Sequence, residues 1–193
     1  MLHPDTQDQF TSTLAVVEAQ HERRGWDLPP QLIGLFDRPM SAHPHRVYVD
    51  GDLFDPSVWH DPDLAGGDQE APPAVILHRL AEHADSLPMR SWLRAWLRQD
   101  GRRCVGFAVV FEAWAGPVGP GYRHGDLAQA PASDRVEVRV VAAVDIDLRM
   151  YQVMRARGAQ APAVNTWPVP PPRVRDTRIA TGLTRLVRLT RTL

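Results

Sequence analysis

Apolar and polar positions alternate along this chain with two different periods, and the switches between them outline an α+β domain. From residue 4 to residue 24, Phe10, Leu14, Val17 and His21 recur at helical spacing among polar neighbours, which predicts an amphipathic helix. Gly25 falls where that helix should stop, because glycine takes the positive-φ conformation of a C-terminal cap without a Cβ clash. Arg23 and Arg24 precede it at the negative end of the helix dipole. The stretch GWDLPP then reads as conformational punctuation. Trp26 is expected to fold back over the last turn near Val17 and His21, and Pro29 and Pro30 hold the backbone extended into a strand over Gln31–Phe36. Only the charge of Asp27 has no part in that scheme.

The pattern then loosens. Residues 38 to 72 are rich in Pro, Gly, Asp and His, with a short strand predicted at Arg46–Val49, a turn at Asp50-Gly51 and an exposed loop over 61–73. A helix is expected from about Ala74, with Ile76, Leu77, Leu80 and Ala84 on one face. Ser86-Leu87-Pro88 reads as a cap and restart, since proline suits a first helical turn. The second helix presents Trp92, Leu93, Trp96 and Leu97 inward and stops at Asp100-Gly101.

Period-two alternation follows. In RRCVGFAVVFEAW, Val105, Phe107, Val109 and Phe111 share a face, opposite a small and mostly apolar set, which is the signature of a central strand. In DRVEVRVVAAVDIDL the apolar face runs from Val136 through Val144 to Ile146. Glu137, Arg139, Asp145 and Asp147 lie opposite, predicting one solvated side. Arg149–Arg157 is the expected hairpin partner, and the absence of glycine near Asp145–Arg149 argues for a loop wider than a two-residue turn. The resulting fold class is an antiparallel sheet of about four to five strands packed by N-terminal, central and C-terminal helices. It divides into a core over residues 1–157, a proline-rich arm over 158–175, and an amphipathic helix over 176–193 docked on the core or on a partner.

Three segments carry a resemblance: GWDLPPQLIGLFD, DRVEVRVVAAVDIDLRMYQ and the closing helix. Together they resemble an uncharacterised actinobacterial protein family whose members place a Gly-Trp-Asp-x-Pro-x-x-Leu segment after an N-terminal helix and end on a paired strand and a helix. Asp147-Leu148 stands where that pattern has Asp-Gly. The resemblance implies a fold and a source but no activity and no catalytic residues.

Composition narrows the functional classes. The chain has 193 residues, a formal net charge of −1 and 44% hydrophobic residues, so a sizeable core is available and no overall field draws it to nucleic acid or anionic lipid. Every basic residue is arginine, which agrees with an actinobacterium or its phage. Cys104 is the sole cysteine, excluding an internal disulfide and a cysteine-based zinc site. No signal pattern or membrane-length apolar run occurs, so a cytoplasmic protein is expected.

Candidate chemistry is sparse. His43, His45, Asp50, Asp52 and His60 combine imidazole and carboxylate within one short span, a set suited to a metal-dependent hydrolase, although turn-forming prolines interrupt it and no H-E-x-x-H pattern occurs. Arg90, Arg94 and Arg98 form a helical ridge beside Trp92 and Trp96, a possible grip on nucleic acid that the net charge opposes. There is no nucleophile elbow, Cys104 reads as a packing residue, and Glu112 reads as a strand-end glutamate reaching solvent. The glycine-rich segment 116–126 lacks a Walker lysine. The leading expectation is a non-enzymatic interaction, assembly or regulatory protein with no cofactor. It would bind a protein partner or a second copy of itself through Trp167 in the arm, Arg178, Arg185 and Arg188 on the last helix, and the ridge of Arg90, Arg94 and Arg98.

Overall fold

The computed structural model describes residues 1–51, 54–66, 71–116 and 135–193. Six antiparallel strands form one sheet: β1 (Gln31–Asp37), β2 (Tyr48–Asp50), β3 (Arg103–Ala115), β4 (Val136–Asp145), β5 (Met150–Ala156) and β6 (Ala163–Trp167). Their order is β2-β1-β3-β4-β5-β6, so the last four strands run as a meander and β3 is central. The α+β class expected from the pattern is therefore the observed one, with a sixth strand where the arm was read as merely extended.

Helices cover both faces. The long helix α1 (Pro4–Arg24) lies on one side, where Phe10, Leu14 and Val17 pack on Ile33, Leu35, Ala108, Val110, Val141 and Val153. On the other side α3 (Pro73–His83), α4 (Leu87–Leu97) and α6 (Arg178–Thr190) pack on Leu32, Phe36, Phe107, Val109, Val144 and Met150. Two four-residue turns of helix, α2 (Pro62–Ala65) and α5 (Pro172–Arg175), complete the set. The stripe of α6 is thus docked on its own core, with Leu183, Leu186 and Val187 buried. Gly182 lets α6 approach α3 closely; a Cβ there would stand 3.1 Å from the Leu77 side chain. Among the described residues no helix is long and apolar enough to cross a membrane.

Local chemistry accounts for most boundaries. Gly25 ends α1 at φ 101°, its N–H donating to the carbonyls of His21 and Glu22. The β4–β5 connection is the wider loop that its lack of glycine predicts. The Leu148 N–H donates to the Asp145 carbonyl, Leu148 sits at φ 64°, and the Asp145 N–H donates to the Arg149 carbonyl. Leu148 thus occupies the left-handed position at which the resembled family pattern has glycine. The Asp145 carboxylate organises this turn by accepting from the Asp147 and Arg149 N–H groups and from the Tyr151 hydroxyl.

Four expectations need correcting. Val105 faces α1 rather than sharing a face with Phe107, because β3 carries a bulge: Leu35 pairs with Gly106 and Phe36 with Cys104, leaving Val105 as the surplus residue. Trp92 is 41% exposed, its ring lying against Phe54, and only Leu93 and Trp96 are deeply buried on α4. The loop over 61–73 contains α2. Most consequentially, the charged face of β4 is not solvated. Arg139 and Asp145 are buried: α1 supplies Glu22 as a partner to Arg139, and Asp145 is satisfied by the turn N–H groups and the Tyr151 hydroxyl.

Candidate functional site

The charged layer between α1 and the sheet begins with Glu18. It continues the Leu14–Val17–His21 stripe and is fully buried, so its carboxylate needs partners inside the protein. Arg155 on β5 supplies them as a two-pronged pair, Nε to Oε1 at 2.8 Å and Nη2 to Oε2 at 2.7 Å. The remaining Arg155 donor, Nη1, reaches the carbonyls of Ala159 and Gln160. Directly opposite Arg155 on β4, Arg139 donates to Glu22 at 2.8 Å, to Glu112 at 2.9 Å and to the Gly25 carbonyl.

GWDLPP closes this layer from outside. The Trp26 ring lies against two guanidinium groups, with Arg139 4.3 Å from its centroid and Arg157 5.1 Å away. It therefore caps buried charge instead of packing against Val17 and His21. Asp27 sits at φ 64°, donates its N–H to Glu112 at 2.7 Å, and accepts from Arg157 at 2.8 Å. Its charge, which the punctuation scheme left idle, holds Arg157 over the indole. Glu112 is accordingly an ion-pair partner and not a free glutamate at a strand end. In this layer Glu18, Glu22, Glu112 and Asp27 each meet an arginine.

A cleft of about 500 Å³ opens beside the layer, between the end of α1 and the turn at residues 56–60. His21, Arg24, Leu28, Pro29, Gln31, Asp55 and Trp59 are among its lining residues; Trp26 and Asp27 do not line it. The His21 Nδ1–H donates to the Val17 carbonyl at 2.9 Å.

The predicted metal ligands are dispersed. His43 and His60 are exposed, Asp50 pairs with Arg102, and Asp52 lies outside the described residues. Among the described residues, two groups bring at least three ligand atoms within 4.8 Å of one another: His3, Asp5 and His45, and Asp27, Glu112 and Glu137. Of the predicted ligands, only His45 belongs to either. The segment 117–126 of the glycine-rich stretch also lies outside the described residues.

The residues expected to meet a partner are distributed over one side of the molecule. Arg178, Arg185 and Arg188 are exposed on α6, with Arg185 3.1 Å from Glu82. Arg90 pairs with Asp85 at 2.9 Å and reaches Thr192, Arg94 is exposed, and Arg98 reaches the Leu193 carbonyl. Trp167 is half-buried against the helical side of the core. It ends β6, whose other residues, Ala163 to Thr166, are all exposed. β6 pairs with β5 on one side and is the outermost strand of the sheet on the other. The arm is therefore laid along its own sheet, and among the described strands none pairs with its outer edge.

Glu18, Arg139 and Arg155 escaped sequence reasoning as a set, although a signal exists: a glutamate inside an apolar helical stripe and arginines at regular intervals on adjacent strands. Searches for related proteins return no matching family model, no matching curated protein and no matching solved structure, so the resemblance to the actinobacterial family rests on the quoted residues alone.

Proposed function

We propose that this protein is a non-enzymatic assembly module that associates with a second copy of itself through the outer edge of β6. The observation that carries this reading is that edge. Its residues Ala163–Thr166 are exposed, Val164 at 46%, and no other described strand pairs with it on its outer side. A strand edge presents unpaired N–H and C=O groups, and the simplest complement is an identical strand brought antiparallel about a two-fold axis. Pro162 and Pro168 flank the strand and confine pairing to this window. A cytoplasmic setting and an actinobacterial or phage source belong to the same reading, supported by the lone cysteine and by an arginine-only basic composition.

Truncation after Gly158 is a poor test, because it removes α6 from the core it covers. Light scattering on the full chain and on a Val164→Lys, Thr166→Lys variant separates association from folding. The expected result is a dimer for the parent and a monomer of unchanged melting temperature for the variant. A parent chain that is monomeric at high micromolar concentration ends the proposal.

A further inference from the structure

His3 and His45 come from distant parts of the sequence and meet face to face, ring centroids 4.0 Å apart and planes within 16° of parallel. His3 is the N-cap of α1, its Nδ1 accepting the Asp5 N–H at a long 3.3 Å, and the same Nδ1 stands 3.6 Å from the Asp5 carboxylate. The donor atoms of His3, Asp5 and His45 all lie within 4.8 Å of one another.

Both ligand-bearing segments are anchored. Leu2, next to His3, and Val47, two residues from His45, are buried in the same apolar cluster under α1. The Leu2 N–H is further held by Asp147 at 2.7 Å. A neutral imidazole offers one ring-nitrogen lone pair to a metal. We infer that His3, Asp5 and His45 bind a zinc-class divalent ion, which fastens the first turn of α1 to the loop preceding β2.

Two imidazole nitrogens and one carboxylate oxygen are donors that zinc accepts, and a water would fill the fourth position of a tetrahedral site. Small side-chain rotations bring atoms already this close to the roughly 2.0–2.2 Å that zinc requires. The ion would take over the His3 lone pair now spent on the long bond to the Asp5 N–H. Asp5 also offsets the positive end of the helix dipole, which would otherwise oppose a cation there. The ligand set differs from the one that the His/Asp-rich segment suggested, sharing His45 alone, and the inference is independent of the β6 edge.

Zinc chloride titrated calorimetrically into the tag-free full chain tests it, with metal content after dialysis measured in parallel. The expected result is one zinc per chain and a melting temperature raised by several degrees. His45→Ala should weaken binding by at least about 10-fold, the lower bound for losing even a group that only orients a ligand. His3→Ser, which keeps an N-cap oxygen but removes the ring, should do the same without unfolding the helix. His43→Ala and His60→Ala should bind as the parent does. Absence of zinc uptake overturns the inference, as does uptake that survives His45→Ala.

Discussion

Glu18 and Arg155 form a two-pronged ion pair beneath α1, with the glutamate side chain wholly excluded from water and the arginine side chain 9% exposed. Such a pair contributes little net stability over apolar residues of the same shape, but it is costly to break from one side. Glu18→Ala should therefore destabilise the fold by about 3–5 kcal/mol in urea denaturation, since it leaves Arg155 and Arg139 short of a carboxylate. The double replacement Glu18→Leu, Arg155→Met should cost much less than the two single losses added together. Strictly additive losses would show that the pair is not coupled.

The indole of Trp26 has a different task from a core tryptophan. Replacing it with leucine keeps apolar cover and removes the π system that Arg139 and Arg157 lie against. That change should cost up to about 2 kcal/mol, while Trp26→Phe should recover part of it. Equal stability of the leucine and phenylalanine variants would reduce the ring to simple cover.

Much of this architecture was legible beforehand, for identifiable reasons. The helix from residue 4 to residue 24 was exact in extent because its apolar spacing, its glycine stop and its arginine-rich last turn agree with one another. The stripes of α3 and α6 were read correctly for the same reason. What alternation could not convey was which side of β4 faces water. A charged face is the same string of letters whether solvent or a carboxylate-bearing helix lies over it, so Arg139 was assigned to the surface. Nor does a period-two pattern announce a bulge, which is why Val105 was placed on the wrong face. The neighbourhood of His3 and His45 was invisible because it depends on how a loop returns to the helix start, and no local rule carries that information.

Acidity should act on the β4–β5 turn through Asp145. Burial holds its carboxyl above the ordinary value of 3.8, outweighing the hydrogen bonds from Arg149, Tyr151 and Asp147 that favour ionisation. The folded state thus keeps this proton to higher pH than the unfolded chain does. Ionisation of Asp145 costs stability above the raised pKa, and the cost is relieved as pH falls through it toward 3.8. Measured against Asp145→Asn, which does not titrate, the parent should gain relative stability on acidification from neutral pH. A difference that stays flat with pH would mean that Asp145 titrates alike in both states.

Cys104 should be unreactive in the native protein. Burial pushes its thiol up to about 12, and its Sγ lies 3.5 Å from the Gly106 carbonyl. At mildly alkaline pH, iodoacetamide should label it only after denaturant has unfolded the chain. Rapid labelling of the folded protein would place the sulfur in open contact with solvent.

The surplus residue in β3 has a wider implication for any chain built on this plan. It uncouples the two ends of the longest strand, so that Arg103 and Cys104 obey one parity and Phe107 onward obey the other. Deleting Val105 would let β3 pair regularly with β1, Gly106 opposite Leu35 and Cys104 opposite Phe36, and would leave Arg103 beside the buried Asp37. A chain without this residue would keep the Arg103–Asp37 pair and lose only the apolar side chain that Val105 adds beneath α1.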